Sequence, residues 1–230
     1  MFDKEKVKAV LFDLDDTLYS RVDAARGVFH GMFKTNLYPS ADDNFIKEAV
    51  SYMMKHIKPN SMVHEDTFEA LLKKYPSEIL YNRSNCLDYY YEHISEFAKP
   101  DKEAFEIIKR LRSMGIKTAV VTNITADRLD SQKSKIKALG LEKIMDSIIM
   151  SGEIGIHKPD KRIYEYAADA LGVLPSECVF VGDDPNSDIK GAVDADMEAV
   201  WLDRWNSDDD IKRSPKVTTV KKIDEYFKFL

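Results

Sequence analysis

Strands alternating with helices of ten or more residues across residues 99–230 predict an α/β fold, a Rossmann-like three-layer architecture around a parallel sheet. A second observation is a block, residues 18–98, in which strand signals vanish and apolar residues recur at helical spacing. The third is the apolar run at 7–14, which precedes that block and reads as a strand buried on both faces. Residues 1–17 and 99–230 are therefore expected to form the α/β core, with 18–98 inserted after its first strand as a four-helix bundle.

Each element has its own warrant. In the insertion, Val22, Ala25, Phe29, Met32 and Phe33 mark a first helical stripe, and Phe45, Ile46, Ala49, Val50 and Met53 a second. Phe68, Leu71, Leu72 and Tyr75 mark a third, and Leu87, Tyr90, Tyr91, Ile94 and Phe97 a fourth. Breaks are expected at 39–42, 58–61 and 82–85, where Pro, Asn, Asp and Ser gather. Beyond Pro100, a helix at 101–114 ends at Gly115, and 117–123 (KTAVVTN) reads as a strand. A helix at 126–139 stops at Gly140, a strand follows at 147–150, and a helix at 160–171 closes at Gly172. Residues 178–181 (CVFV) and 198–202 read as strands, 188–193 as a short helix and 223–229 as a terminal one. The acidic stretch 207–210 reads as a solvated loop.

The bulk numbers narrow the class. A chain of 230 residues is long enough to bury a full core without staples. The net charge of −6 argues against nucleic acid or an anionic membrane as the main partner. No stretch approaches a membrane span, and the N-terminal apolar run is short and ends in acid, unlike a secretory leader. Cys86 and Cys178 are far apart without metal-ligand spacing, so two isolated thiols and a cytoplasmic location are expected.

Ligands of open α/β sheets bind outside the carboxyl ends of the strands, and reading only those ends gives a short inventory. The first strand ends in Asp13-Leu14-Asp15, the second in Thr122-Asn123, and CVFV runs into Gly182-Asp183-Asp184. Lys158 follows a strand and precedes a helix. Carboxylates, a hydroxyl, an amide and an ammonium group thus share one edge. Several carboxylate oxygens suit a small hard cation such as Mg²⁺. A carboxylate can also attack phosphorus and form an aspartyl-phosphate. Anion attack on a phosphate dianion is opposed by roughly 4 kcal/mol per unit charge at ~4 Å, which a cation and Lys158 would offset.

The motifs DLDDT at 13–17, TN at 122–123, Lys158-Pro159 and GDDPNSD at 182–188, in this order, resemble the haloacid dehalogenase superfamily over essentially the whole chain. The resemblance implies a helical cap for the insertion, closing over the site and selecting substrates. It implies that Asp13 is the nucleophile and a Mg²⁺ ligand. Asp15 would be the general acid/base, with its backbone carbonyl also on the metal. Thr122, Asn123 and Lys158 would bind the phosphoryl group, and Lys158 would also steady Asp13. Asp183 would ligate Mg²⁺, Asp188 would sit on or just behind the metal, and Asp184 is open between metal neighbour and loop residue. Gly182 would let the loop pass close to the site.

An acid two residues after the nucleophile separates the phosphatase branch from the dehalogenating one, so Asp15 points to hydrolysis of a small phosphorylated metabolite by a monomer or homodimer. A phosphomutase is the alternative, followed by a dehalogenase or a non-catalytic binding module. Asp16 is expected to form the turn rather than join the chemistry. Tyr19, Arg21 and Arg26 lie beside the first motif, either reaching a substrate anion or simply lining a helix surface.

Overall fold

The computed structural model describes residues 3, 5–57, 63–77, 82–204 and 209–228. The chain divides into two compact units, Met1–Ser20 with Pro100–Leu230, and Arg21–Lys99. The expected break at 58–61, the front of the acidic stretch at 207–208, and the expected last helical residue, 229, lie outside the described residues.

The sheet unit begins with β1 (Ala9–Phe12), after which the chain enters the helical unit. There α1 (Arg21–Met32) packs on α2 (Asp43–His56) and α4 (Arg83–Phe97), and α3 (Glu65–Lys74) packs on both α2 and α4. Helix starts follow from side-chain capping: Asp42 accepts from the Phe45 N–H at 2.8 Å, and Asn82 from the Asn85 N–H at 2.9 Å. The stripes meet in an aromatic cluster, with Phe29 centred 6.0, 5.9 and 5.7 Å from Phe33, Phe68 and Tyr90. Gly27 lets α1 approach α4, since a methyl group at that position would overlap the Phe97 ring.

Back in the sheet unit come α5 (Lys102–Ser113), β2 (Lys117–Thr122), a 3₁₀ turn at Ala126–Arg128 and α6 (Leu129–Ala138). The helix expected from 126 thus opens as a tighter turn before it becomes α-helical. Then follow β3 (Ser147–Met150), α7 (Ser151–Ile154), α8 (Lys161–Leu171) and β4 (Cys178–Gly182). The chain finishes with α9 (Lys190–Asp194), β5 (Glu198–Leu202), β6 (Val217–Val220) and α10 (Ile223–Phe227).

All six strands are parallel, in the order β3-β2-β1-β4-β5-β6. β6 is absent from the sequence reading: it is a four-residue edge strand whose two central threonines are exposed, so it carries no apolar run. Side chains alternate across the sheet. Ala9, Leu11, Ala119, Val121, Phe180 and Trp201 pack with Ile163, Tyr164 and Leu171 of α8. Val10, Phe12, Val120, Val179 and Val181 point the other way and are buried too, so both faces are covered.

The two cysteines are free and buried, and burial pushes each thiol up to about 12. Among the described residues no helix is long and apolar enough to cross a membrane.

Candidate active site

The strand order reverses at β1, which pairs with β2 on one side and β4 on the other. A crevice at such a reversal, outside the carboxyl ends of the strands, is where α/β sheets hold ligands. Phe12 stands opposite both Val120 and Val181, so Asp13, Thr122 and Asp183 leave the sheet at one edge. The Asp13 N–H bonds the Val181 carbonyl at 2.8 Å, fixing the backbone one residue past the strand.

Lys158 is the centre of charge. Its Nζ donates to Asp13 Oδ1 at 2.5 Å and to Asp188 Oδ1 at 2.7 Å, with all three side chains buried. Asp188 Oδ2 in turn accepts from the backbone N–H groups of Asp183 and Asp184, each at 3.1 Å. Gly182 belongs to the same packing. A side chain there would run into the Asp188 carboxylate.

Asn123 is committed to placing Lys158. Its Nδ2 donates to the Lys158 carbonyl and its Oδ1 accepts from the Lys158 N–H, both at 2.9 Å. Both polar ends of the Asn123 side chain are thus engaged with the Lys158 backbone. The Lys158-Pro159 peptide is cis. Trp201 Nε1–H donates to the Asp183 carbonyl at 3.0 Å, tying β5 to the loop after β4.

Oxygens of Asp13, Asp183 and Asp188 lie within 4.8 Å of one another. Three buried carboxylates lie around one ammonium group, and the crowding shows in the proton affinities of Asp13 and Asp183. Burial, then the charges of Asp188 and Asp15, raises Asp13 from 3.8 to about 7 despite Lys158. Burial, then Asp188 and Asp13, holds Asp183 well above the carboxylate range. For Lys158, burial acts downward, but the charges of Asp13 and Asp188 outweigh it and the ammonium is held charged. An all-oxygen, buried and under-compensated donor set of this kind fits a hard divalent cation.

The remaining expectations sort by contact. Asp184 turns its carboxylate onto the Asn186 N–H and the Ser187 hydroxyl, each at 2.9 Å, which is loop structure. Asp16 sits at φ 60°, a left-handed conformation suited to the turn after β1. Thr122 Oγ1 accepts from Gln132 Nε2 at 2.7 Å. That bond leaves the threonine hydroxyl hydrogen to point elsewhere, as a donor. Thr17 Oγ1 is buried without a partner. Arg26 is exposed and Arg21 buried, each on α1.

Asp15 stands apart from the three-carboxylate cluster, and its expected link to a metal is through its backbone. Its Oδ1 accepts from Lys135 Nζ at 2.7 Å and from the Tyr19 hydroxyl. Tyr19 is thus an interior residue rather than part of a helix surface. Lys135 and Gln132 escaped the sequence reading. The available signal was their place, three residues apart, on the same face as Ile136 and Leu139.

A family model described as haloacid dehalogenase-like hydrolase matches residues 7–196. A glyceraldehyde 3-phosphate phosphatase of Methanopyrus kandleri is 31% identical over 207 residues, 88% of this chain and 87% of that protein. A phosphoserine phosphatase of Thermus thermophilus is 39% identical over 116 residues, 50% of this chain and 45% of that protein. Among solved structures, the HAD-hydrolase YfnB of Bacillus subtilis, bound to magnesium, has a TM-score of 0.75 at 20% identity, covering 98% of this chain and 99% of that one.

Proposed function

The chain belongs to the haloacid dehalogenase-like hydrolases, and from that premise we propose that it is a Mg²⁺-dependent phosphatase acting on a small phosphate monoester through an aspartyl-phosphate. The observation that carries this reading is the division of labour between two carboxyl groups two residues apart. Asp13 is buried against Lys158 among the clustered acids, while Asp15 is held separately by Lys135 and Tyr19. A nucleophile and an acid/base need such different surroundings. The phosphatases among the relatives support the substrate class.

In the reaction, an Asp13 oxygen forms a bond to phosphorus while the bond from phosphorus to the substrate's leaving oxygen breaks. The leaving oxygen takes a proton from the Asp15 carboxyl. In the second half Asp15, now a carboxylate, accepts a proton from water as that water's oxygen bonds phosphorus and the Asp13–phosphorus link breaks. Asp13 is regenerated, Asp15 is again protonated, and phosphate leaves. Lys158 and the Thr122 hydroxyl meet the charge on the phosphoryl oxygens. Mg²⁺, held by Asp13, Asp183, Asp188 and the Asp15 carbonyl, would supply Lewis-acid neutralisation of the phosphoryl charge. The helical unit, inserted directly after this first motif, serves as the cap that selects the substrate, and the enzyme works on free metabolites of the cytoplasm.

The test is phosphate release from a panel of phosphorylated metabolites and from 4-nitrophenyl phosphate, with and without chelator. Wild-type turnover in Mg²⁺ should vanish on chelation and fall at least about 10⁴-fold in Asp13→Asn, since no nucleophile remains. Wild-type-like turnover in Asp13→Asn would show that the nucleophile is elsewhere. Isomer formation without free phosphate would make the protein a mutase, halide release from haloacids a dehalogenase, and saturable binding without turnover a binding module.

A further inference from the structure

We infer that Lys135 is the positioning residue for the acid/base, fixing the Asp15 carboxyl through a three-membered contact with Tyr19. This inference rests on the phosphatase reading above. Lys135 lies on α6, 120 residues from Asp15 in sequence, yet its Nζ donates to Asp15 Oδ1 at 2.7 Å. The same Nζ donates to the Tyr19 hydroxyl oxygen at 3.2 Å, and that hydroxyl donates to the same Asp15 oxygen. Each member therefore touches the other two. The ammonium also lies 5.4 Å from the centre of the Tyr19 ring, within cation–π range.

Stability does not account for this lysine. Its side chain is only 8% exposed, and the Asp15 side chain 26%. Burying an ammonium group is costly, and an apolar residue of similar volume on this helix face would serve the fold as well or better. Only five residues of α6 separate its start from Lys135, and the helix has Ile136 to anchor it. What the lysine does that a methionine would not is hold a charged partner in one place. The sheet unit thereby keeps two buried cations on two separate tasks: Lys158 on Asp13 and Asp188, Lys135 on Asp15.

The chemistry gives the arrangement a purpose. The Asp15 carboxyl must meet the leaving oxygen in the first half-reaction and water in the second. A short side chain free to rotate would spend part of its time facing away from both. With Oδ1 bonded to Lys135 and Tyr19, the carboxyl plane is set before substrate arrives. Such preorganisation is what makes proton transfer efficient, and small misplacements of the donor are expensive in rate. When the proton has gone to the leaving oxygen, the carboxylate that remains has its counter-ion already beside it.

The test compares substrates that need the acid to different degrees. 4-Nitrophenolate leaves readily without a proton, whereas the alkoxide of glycerol 1-phosphate does not. kcat/KM reports the steps up to release of the leaving group and so isolates the first half-reaction. Lys135→Met should lower kcat/KM for glycerol 1-phosphate by about 10²-fold, and for 4-nitrophenyl phosphate by less than about tenfold. Lys135→Arg should recover most of the loss, with KM for both substrates little changed. Tyr19→Phe, which deletes one hydroxyl, serves if Lys135→Met does not fold, and should shift the ratio in the same direction by a smaller factor. An equal loss on both substrates, or none, in variants that melt like the wild type would overturn the inference and leave the phosphatase reading intact. Absence of phosphate release from either substrate by the wild type would instead overturn both.

Discussion

The crowded acids make the metal-free protein an unusual titrant, and this yields a prediction that needs no substrate. Asp13 is 7% exposed, and burial with its acidic neighbours raises it from 3.8 to about 7. In the folded state the carboxyl therefore keeps its proton to higher pH than in the unfolded chain. Between about pH 4 and 7 the folded state binds more protons, so stability is fullest below the unfolded value and falls as pH rises through this window. At about 1.4 kcal/mol per pH unit, Asp13 alone is worth at most about 4 kcal/mol. Asp183, raised for the same reasons, adds to the effect with the same sign. Lys158 stays charged throughout and contributes no slope.

The experiment is thermal unfolding in chelator from pH 5 to 7.5 at fixed ionic strength, read by tryptophan fluorescence. Trp201 belongs to the sheet unit, where its Nε1–H donates to the Asp183 carbonyl, so its signal reports the unit that carries the site. From pH 5 upward Asp13 can release about 3 kcal/mol of this, so at ~2–4 °C per kcal/mol for a chain of this size its ceiling is a fall of about 6–12 °C, and at least about 5 °C is expected. Millimolar Mg²⁺ should raise the melting temperature at pH 7.5 and flatten the profile, because a bound cation replaces protons as counter-charge. Asp13→Asn should flatten it without metal. A melting temperature that is level or climbs from pH 5 to 7.5 in chelator, with Asp13→Asn following the same curve, would refute the reasoning.

Two substitutions test the scaffolding around the acids. Gly182→Ala places a methyl group against the Asp188 carboxylate, so it should cost ~1–3 kcal/mol in a denaturant titration and at least about tenfold in phosphate release. Asn123→Ala deletes both braces on the Lys158 backbone; a loss of ~1–3 kcal/mol is expected, with turnover lowered for every substrate alike, and unchanged turnover would mean Lys158 holds its place unaided.

The parts of the site that stand at strand ends were legible in the sequence, because a buried parallel strand is a short apolar run and its last residue is easy to locate. Asp13, Thr122 and Asp183 could be placed on one edge from that pattern alone. Lys158 required a further step, since its reach to Asp13 depends on where the chain runs after β3. The helix-borne residues were harder to read. Lys135 and Gln132 look like ordinary polar positions until the sheet shows that their face of α6 is the interior one. Asp184 and Asp188 are the same residue type in one loop, and only the backbone course decides which carboxylate turns inward. β6 was invisible for a simpler reason: an edge strand with exposed threonines buries too little to leave an apolar signature.

The strand order carries a consequence for the chain as it is made. β1 is one of the two central strands, and the other, its neighbour β4, begins at Cys178. A ribosome adding about 5–20 residues per second therefore leaves the apolar run AVLF without that partner for roughly 8–30 seconds. The helical insertion emerges during this wait, with every helix of its own unit made before β4. Asp13 likewise exists long before the lysine 145 positions later that will balance it. Synthesis thus delivers the whole helical insertion before Lys158, Asp183 and Asp188, the later members of the candidate site, have been made.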